Sequence, residues 1–112
     1  MSKGTYLGAF EEIVLLALMQ VGDGAYGMTI RRDIEDRSGR SVSIGAVYST
    51  LDRLQTKGYV SSWFADPSTV RRGRARRYFK VDPAGAKALR RSRKVVNNMW
   101  EGLEPGPDTG AK

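Results

Sequence analysis

Ser43-Ile44-Gly45-Ala46-Val47-Tyr48-Ser49-Thr50-Leu51-Asp52-Arg53-Leu54-Gln55-Thr56-Lys57-Gly58-Tyr59-Val60 is the stretch whose reading decides the fold. Ser43 is placed to cap a helix, because its hydroxyl can accept one of the N–H groups that a first helical turn leaves without a partner. Ala46, at the third helical position, denies it a capping box. A turn of 100° per residue puts Val47, Leu51 and Leu54 on one face and Gly45, Ser49, Asp52, Arg53 and Thr56 on the other, with Tyr48 at the border. Gly58 ends the helix, and Tyr59 to Ala65, rich in aromatic and β-branched residues, reads as a strand.

Beyond it, Asp66-Pro67-Ser68-Thr69 opens and Gly73 closes a hairpin loop longer than a two-residue turn, and the return strand is expected from about Arg74 to Val81. Phe79 and Val81 share a face, so alternation sends Arg74, Arg76, Tyr78 and Lys80 to the other. Between Asp66 and Asp82 stand Arg71, Arg72, Arg74, Arg76, Arg77 and Lys80 with no acid, in a chain whose net charge is +7. A run of one sign at a hairpin tip points to a polyanion, duplex DNA above all, rather than to an ordinary solvated face.

Upstream, Phe10, Ile13, Val14, Leu16, Ala17 and Leu18 recur at helical spacing as far as Val21, where Gly22-Asp23-Gly24 stops the helix; it is expected to be largely buried. In a second helix Tyr26, Ile30 and Ile34 mark one face, Arg31, Arg32 and Asp36 lie outward, and Gly39 supplies the C-terminal break. At the other end Asp82-Pro83 starts a last helix running to about Gly102, aspartate capping and proline at the first position. Along it Leu89, Ser92, Val96, Met99 and Leu103 alternate three and four apart, a coiled-coil seam flanked by Val95 and Trp100. Little more than two heptads long, the seam needs support from elsewhere, such as helix one of a partner chain. Residues 104–112 hold too many helix and strand breakers to fold and are expected to be a disordered tail.

Composition removes whole classes of chemistry. Without cysteine there is no disulfide framework or thiolate metal site, and without histidine the commonest general base and the other usual zinc ligand are missing. Asp33, Glu35 and Asp36 stand among Arg31, Arg32 and Arg37 and read as a solvated helix face. No enzyme, metal or cofactor is therefore expected. The longest apolar run, Ile13 to Met19, is too short to span a bilayer, and Glu11 and Glu12 precede it where a signal peptide would be basic. A cytoplasmic location at the nucleoid is expected, with no membrane partner.

The order helix, helix, helix, hairpin, helix gives the fold class: α+β, mainly helical, a winged helix-turn-helix over 1–82 with a C-terminal dimerisation helix over 83–103. Tyr26-Gly27-Met28-Thr29-Ile30, then Gly39 to Leu54, then Lys57-Gly58-Tyr59-Val60, together with Arg72-Gly73-Arg74, Arg77-Tyr78-Phe79 and Pro83-Ala84-Gly85, resemble the PadR family of bacterial transcriptional regulators over roughly residues 10 to 90. Two positions depart from that pattern: Arg72 stands where a second wing glycine is common, and Asp82 where threonine often caps the last helix. The resemblance implies a homodimer, in most members a repressor, whose short forms pair through a single C-terminal helix.

On this reading the double-stranded-DNA contacts are Ser43, Gly45, Ala46, Tyr48, Ser49 and Arg53 from helix three and Arg71, Arg72, Arg74 and Arg76 from the wing. Gly45, Ala46 and Ser49 let the backbone approach base edges in a major groove wide enough for one helix, and the helix N-terminus with Ser43 and Ile44 presents N–H groups to phosphate. Tyr48 either reaches DNA or packs against the wing. Arg53 either contacts phosphate or guanine or pairs near Asp52. The dimer interface is assigned to Leu89, Val96, Met99, Trp100 and Leu103. Val96, Met99 and Trp100 either line a slot for a small aromatic effector, as the resemblance to short family members with an interface tryptophan implies, or Trp100 is a plain dimer anchor. The competing class is a winged helix that meets RNA or protein and has no operator; Tyr48 and Tyr78 are few stacking aromatics for a single-strand binder.

Overall fold

The computed structural model describes residues 6–65 and 76–103. Its elements are α1 (Ala9–Val21), α2 (Gly27–Ser38), α3 (Ile44–Thr56), β1 (Val60–Phe64), β2 (Arg77–Val81) and α4 (Pro83–Trp100). The expectations for Arg71, Arg72 and Arg74, for the loop from Asp66 to Gly73 and for the tail lie outside the described residues.

Local chemistry sets the boundaries. Ser43 Oγ accepts the Ala46 N–H at 3.0 Å, so α3 begins where its cap dictates. It ends in a paired closure: the Gly58 N–H donates to Gln55 O at 3.0 Å and the Tyr59 N–H to Leu54 O at 2.9 Å, with Gly58 at φ 81°. That left-handed backbone is open to glycine at little cost, which is why Lys57-Gly58-Tyr59 follows the helix. At the start of α4 the expectation needs correcting. Asp82 occupies the capping position, yet its carboxylate caps nothing; both oxygens accept from Ser61 Oγ at 2.7 Å, fastening the helix start to β1.

β1 and β2 form an antiparallel pair in the register Val60↔Val81, Ser62↔Phe79 and Phe64↔Arg77. β2 spans Arg77–Val81, the expected start at Arg74 lying outside the described residues, and Tyr59 belongs to the turn before β1. A bridge between Tyr26 and Tyr78, with the Phe79 N–H donating to Ala25 O at 2.9 Å, ties the chain before α2 to the outer edge of β2. The core gathers Val14, Leu15 and Leu18 of α1, Ile30 and Ile34 of α2, Val47, Leu51 and Leu54 of α3, and Phe79. Each such side chain contributes about 1.5–3 kcal/mol by leaving water.

Two faces depart from the sequence expectation. α1 is only partly buried, because Leu16 and Met19 are exposed on the side that faces α4. The seam on α4 divides. Leu89 is 7 % exposed and sits with Ala88 in the chain's own core, so it is a core residue of one subunit instead of a free interface position. Ser92 Oγ donates to Glu12 Oε2 at 2.7 Å, which holds α4 against α1 of the same chain. Beyond it Val95, Val96, Met99, Trp100 and Leu103 are exposed.

Candidate nucleic-acid interface

The N-terminal half of the outward face of α3 is exposed among the described residues. Ser43, Gly45 and Ser49 are exposed, and a Cβ placed on Gly45 would meet no atom within 4 Å. Ala46 is half-buried, and the Ser49 hydroxyl donates back to Ala46 O at 3.2 Å, holding a short polar side chain close to the helix. The cap on Ser43 takes up the Ala46 N–H, one of the N–H groups that a first helical turn leaves without an intrahelical partner.

Tyr48 resolves toward packing. Its ring centroid lies 6.3 Å from that of Phe79, and its hydroxyl end lies over Gly27, where a Cβ would approach the ring within 2.5 Å. Gly27, the second residue of the Tyr26-Gly27 pair, is thus glycine because Tyr48 occupies the space beside it. The side chain is half-buried, which leaves part of its edge on the α3 surface.

Arg53 finds a partner that the sequence reading did not name. Its Nε lies 3.5 Å from Glu11 Oε2 and its Nη2 donates to Thr50 Oγ1 at 3.2 Å, while 56 % of the side chain remains exposed. Glu11, only 7 % exposed, accepts from the Gly8 N–H at 2.8 Å and from Lys57 Nζ at 2.9 and 3.0 Å. Burial alone would push this carboxyl up, but the Gly8 N–H, Lys57 and Arg53 outweigh it and hold it below its usual value.

Arg77, counted in the sequence as one of the cations between Asp66 and Asp82, has a defined place in the structure. It donates through Nη2 to Gln55 Oε1 at 2.9 Å and through Nε to Ser62 Oγ at 3.1 Å, and its Nη1 lies 3.4 Å from Asp52 Oδ1. Its guanidinium also sits 4.8 Å above the Phe79 ring. The strut joins the wing base to the outward face of α3, so helix and hairpin share one orientation. The alternation rule carried the signal, since Arg77 falls on the Phe79 side of β2 and therefore faces the helix. Arg76 lies on the opposite side, its guanidinium 4.1 Å from the centroid of the Tyr26 ring. There Trp63 stacks on Tyr78 at 6.0 Å and Tyr26 meets Tyr78 edge-on at 5.9 Å.

Away from α3, Met99, Trp100 and Leu103 are 72 %, 49 % and 67 % exposed, and Val96 lines a groove of about 530 Å³ between α4 and the Leu16 and Met19 side of α1. Val96, Met99 and Trp100 are all exposed within one chain. Among the described residues no acidic cluster could hold a metal ion, and no helix is long and apolar enough to cross a membrane.

In this chain a capped helix with a small-residue outer face is braced by a two-stranded wing. The family profile described as Transcriptional regulator PadR-like family matches residues 15–91. The chain belongs to the PadR-like family. It is 38 % identical over 63 residues to a protein named Transcriptional regulator Rv3488 from Mycobacterium tuberculosis, a match covering 56 % of this chain and 55 % of that one. The chain thus spans about half the length of this curated relative. Among solved structures, a transcriptional regulator from Clostridium thermocellum superposes with a TM-score of 0.67 at 21 % identity, covering 88 % of this chain and 92 % of that one. A PadR family transcriptional regulator from Eggerthella lenta gives 0.66 at 22 %, covering 81 % and 77 %. At such identities these two show the PadR fold alone. The PadR family and the curated relative are transcriptional regulators, not enzymes, in agreement with the absence of any nucleophile–base pair expected from the sequence.

Proposed function

We propose that this chain is a homodimeric repressor that binds a pseudo-palindromic site in double-stranded DNA, with α3 in the major groove and the wing on the flanking backbone. The observation that carries the reading is the outward face of α3. Small residues at its N-terminal half permit close approach to base edges, and Arg53 stands ready at its C-terminal half, 56 % exposed. The strut from Arg77 to Asp52 and Gln55 supports a wing that docks together with the helix. The apolar stripe of Val96, Met99, Trp100 and Leu103, continuous with Leu16 and Met19, supports pairing of two copies, which sets two α3 helices about one DNA turn, roughly 34–36 Å, apart. In such a pair Trp100 and its neighbours from both subunits form the slot proposed for a flat aromatic effector.

Selection of bound fragments from random duplex DNA tests this directly. A recovered two-fold motif with half-sites one turn apart is expected, bound by a species of twice the chain mass. If the complex neutralises about six phosphates in all, affinity falls roughly a thousandfold between about 50 and 200 mM salt. Recovery of no motif, with equal binding to single-stranded RNA, would select the RNA-associated reading. Trp100→Ala separates the effector slot from a plain anchor: a weaker dimer whose DNA release by planar aromatics is unchanged rejects the slot.

A further inference from the structure

We propose that Glu11, on α1 and outside the DNA-facing surface, is a positioning residue that presets Arg53 for an end-on, two-pronged contact with the nucleic acid. The inference rests on the DNA reading above and adds a residue to it. A guanidinium offers five N–H donors, and here Nε is turned to Glu11 Oε2 and one Nη2 proton to Thr50 Oγ1. What remains is the Nη1–Nη2 edge, the pair of parallel donors that matches guanine O6 and N7 or two phosphate oxygens.

The anchors are themselves rigid. Thr50 is 2 % exposed, and the Glu11 carboxylate is fixed from three sides by the Gly8 N–H, by Lys57 Nζ and by its own burial on the first turn of α1. Lys57 in turn donates to Tyr6 O at 3.1 Å, so the ammonium does not follow Arg53 outward. A free arginine on a helix surface would have to lose much of its rotamer freedom on binding; Arg53 has lost it beforehand. Because Lys57 and Arg53 together outweigh one carboxylate, the assembly keeps a net positive charge toward the duplex.

The pairing is tested first without DNA. The 15Nε–1H signal of Arg53 is expected to be sharp and slow to exchange in the wild-type protein and to be lost in Glu11→Gln, a change that keeps an acceptor for Gly8. No change in that signal would overturn the proposal. The second arm measures affinity for a selected operator and for a scrambled duplex. Arg53→Gln is expected to lower the operator-to-scrambled ratio about tenfold or more, Glu11→Gln about three- to tenfold, and the double variant no further than Arg53→Gln alone.

Additive losses would overturn the positioning role, as would tighter binding of Glu11→Gln to both duplexes at an unchanged ratio, the outcome of simple charge removal. Thr50→Val removes the other anchor in a nearly isosteric way and is expected to lower the ratio as well, which keeps the test open should Glu11→Gln unfold. If the wild-type protein shows no preference for any duplex while the Arg53 signal behaves as expected, the DNA reading has failed and the role with it; the Glu11–Arg53 pair alone survives.

Discussion

Gly85→Ala is expected to destabilise the protein although alanine is the better helix former. Gly85 lies buried in the first turn of α4, and a Cβ there would sit 2.4 Å from the Tyr59 carbonyl oxygen and 3.0 Å from Val81 Cγ1. The oxygen belongs to the backbone and cannot swing aside. Carbon–oxygen contacts settle no closer than about 3.3 Å, so the start of α4 must retreat by about 1 Å. The retreat stretches the 2.9 Å hydrogen bond from the Asp82 N–H to Tyr59 O and loosens the seat of Ala88 and Leu89. Overpacking costs about 1–3 kcal/mol and the weakened hydrogen bond roughly 1, against a propensity gain of at most about 1 kcal/mol. The net loss is about 2 kcal/mol, a midpoint roughly 8 °C lower in thermal unfolding followed by circular dichroism at fixed protein concentration. Gly45→Ala is the control, since a Cβ there meets nothing within 4 Å; its midpoint should hold or rise. A Gly85→Ala protein as stable as wild type would refute the packing argument.

Three further outcomes follow from other contacts. Gly27→Ala drives a methyl into the Tyr48 ring and should destabilise by about 1–3 kcal/mol; in a Tyr48→Leu background the loss should shrink, and equal losses in both backgrounds in urea titrations would dissociate Gly27 from Tyr48. Arg77→Met removes the strut to Asp52 and Gln55 and should speed hydrogen exchange of β1 and β2 amides while leaving α1 and α2 unchanged; unchanged exchange at Ser62 and Tyr78 would deny the strut. Glu11, whose folded-state carboxyl is held below its ordinary value of 4.5 by the Gly8 N–H, Lys57 and Arg53, stabilises the fold where the unfolded chain is also ionised. The unfolded state then binds the proton first as pH falls, so the stability gap between wild type and Glu11→Gln should be full above pH 4.5 and close as the pH drops through the lower folded value. A gap that is constant down to strong acid would contradict the assigned ion pairs.

Helix periodicity and punctuation were legible in the chain itself. Val47, Leu51 and Leu54 are the buried face of α3, Ser43 caps it and Gly58 closes it, all from spacing and side-chain chemistry. Long-range polar pairing was not legible. Glu11 and Arg53 are far apart in sequence, and a carboxylate at the start of an amphipathic helix reads as solvated until α3 is laid across it. Asp82 shows the same limit, since a residue suited to cap a helix can instead accept from a hydroxyl on a neighbouring strand. The α4 heptad misled for a related reason. A three-four repeat announces an apolar stripe but not which body covers it, and here Leu89 is covered by the subunit's own core while Met99 and Leu103 stay open.

The division of α4 into an anchored half and an open half has a kinetic consequence for the proposed pair. Since Leu89, Ala88 and the Ser92–Glu12 bond secure the helix within a single subunit, the proposed association would be an equilibrium separate from folding, tuned by a few residues near Trp100. Where that equilibrium lies near the intracellular abundance of the chain, occupancy of a two-fold site rises with the square of concentration, and a modest change in synthesis acts as a sharp threshold on the genes downstream.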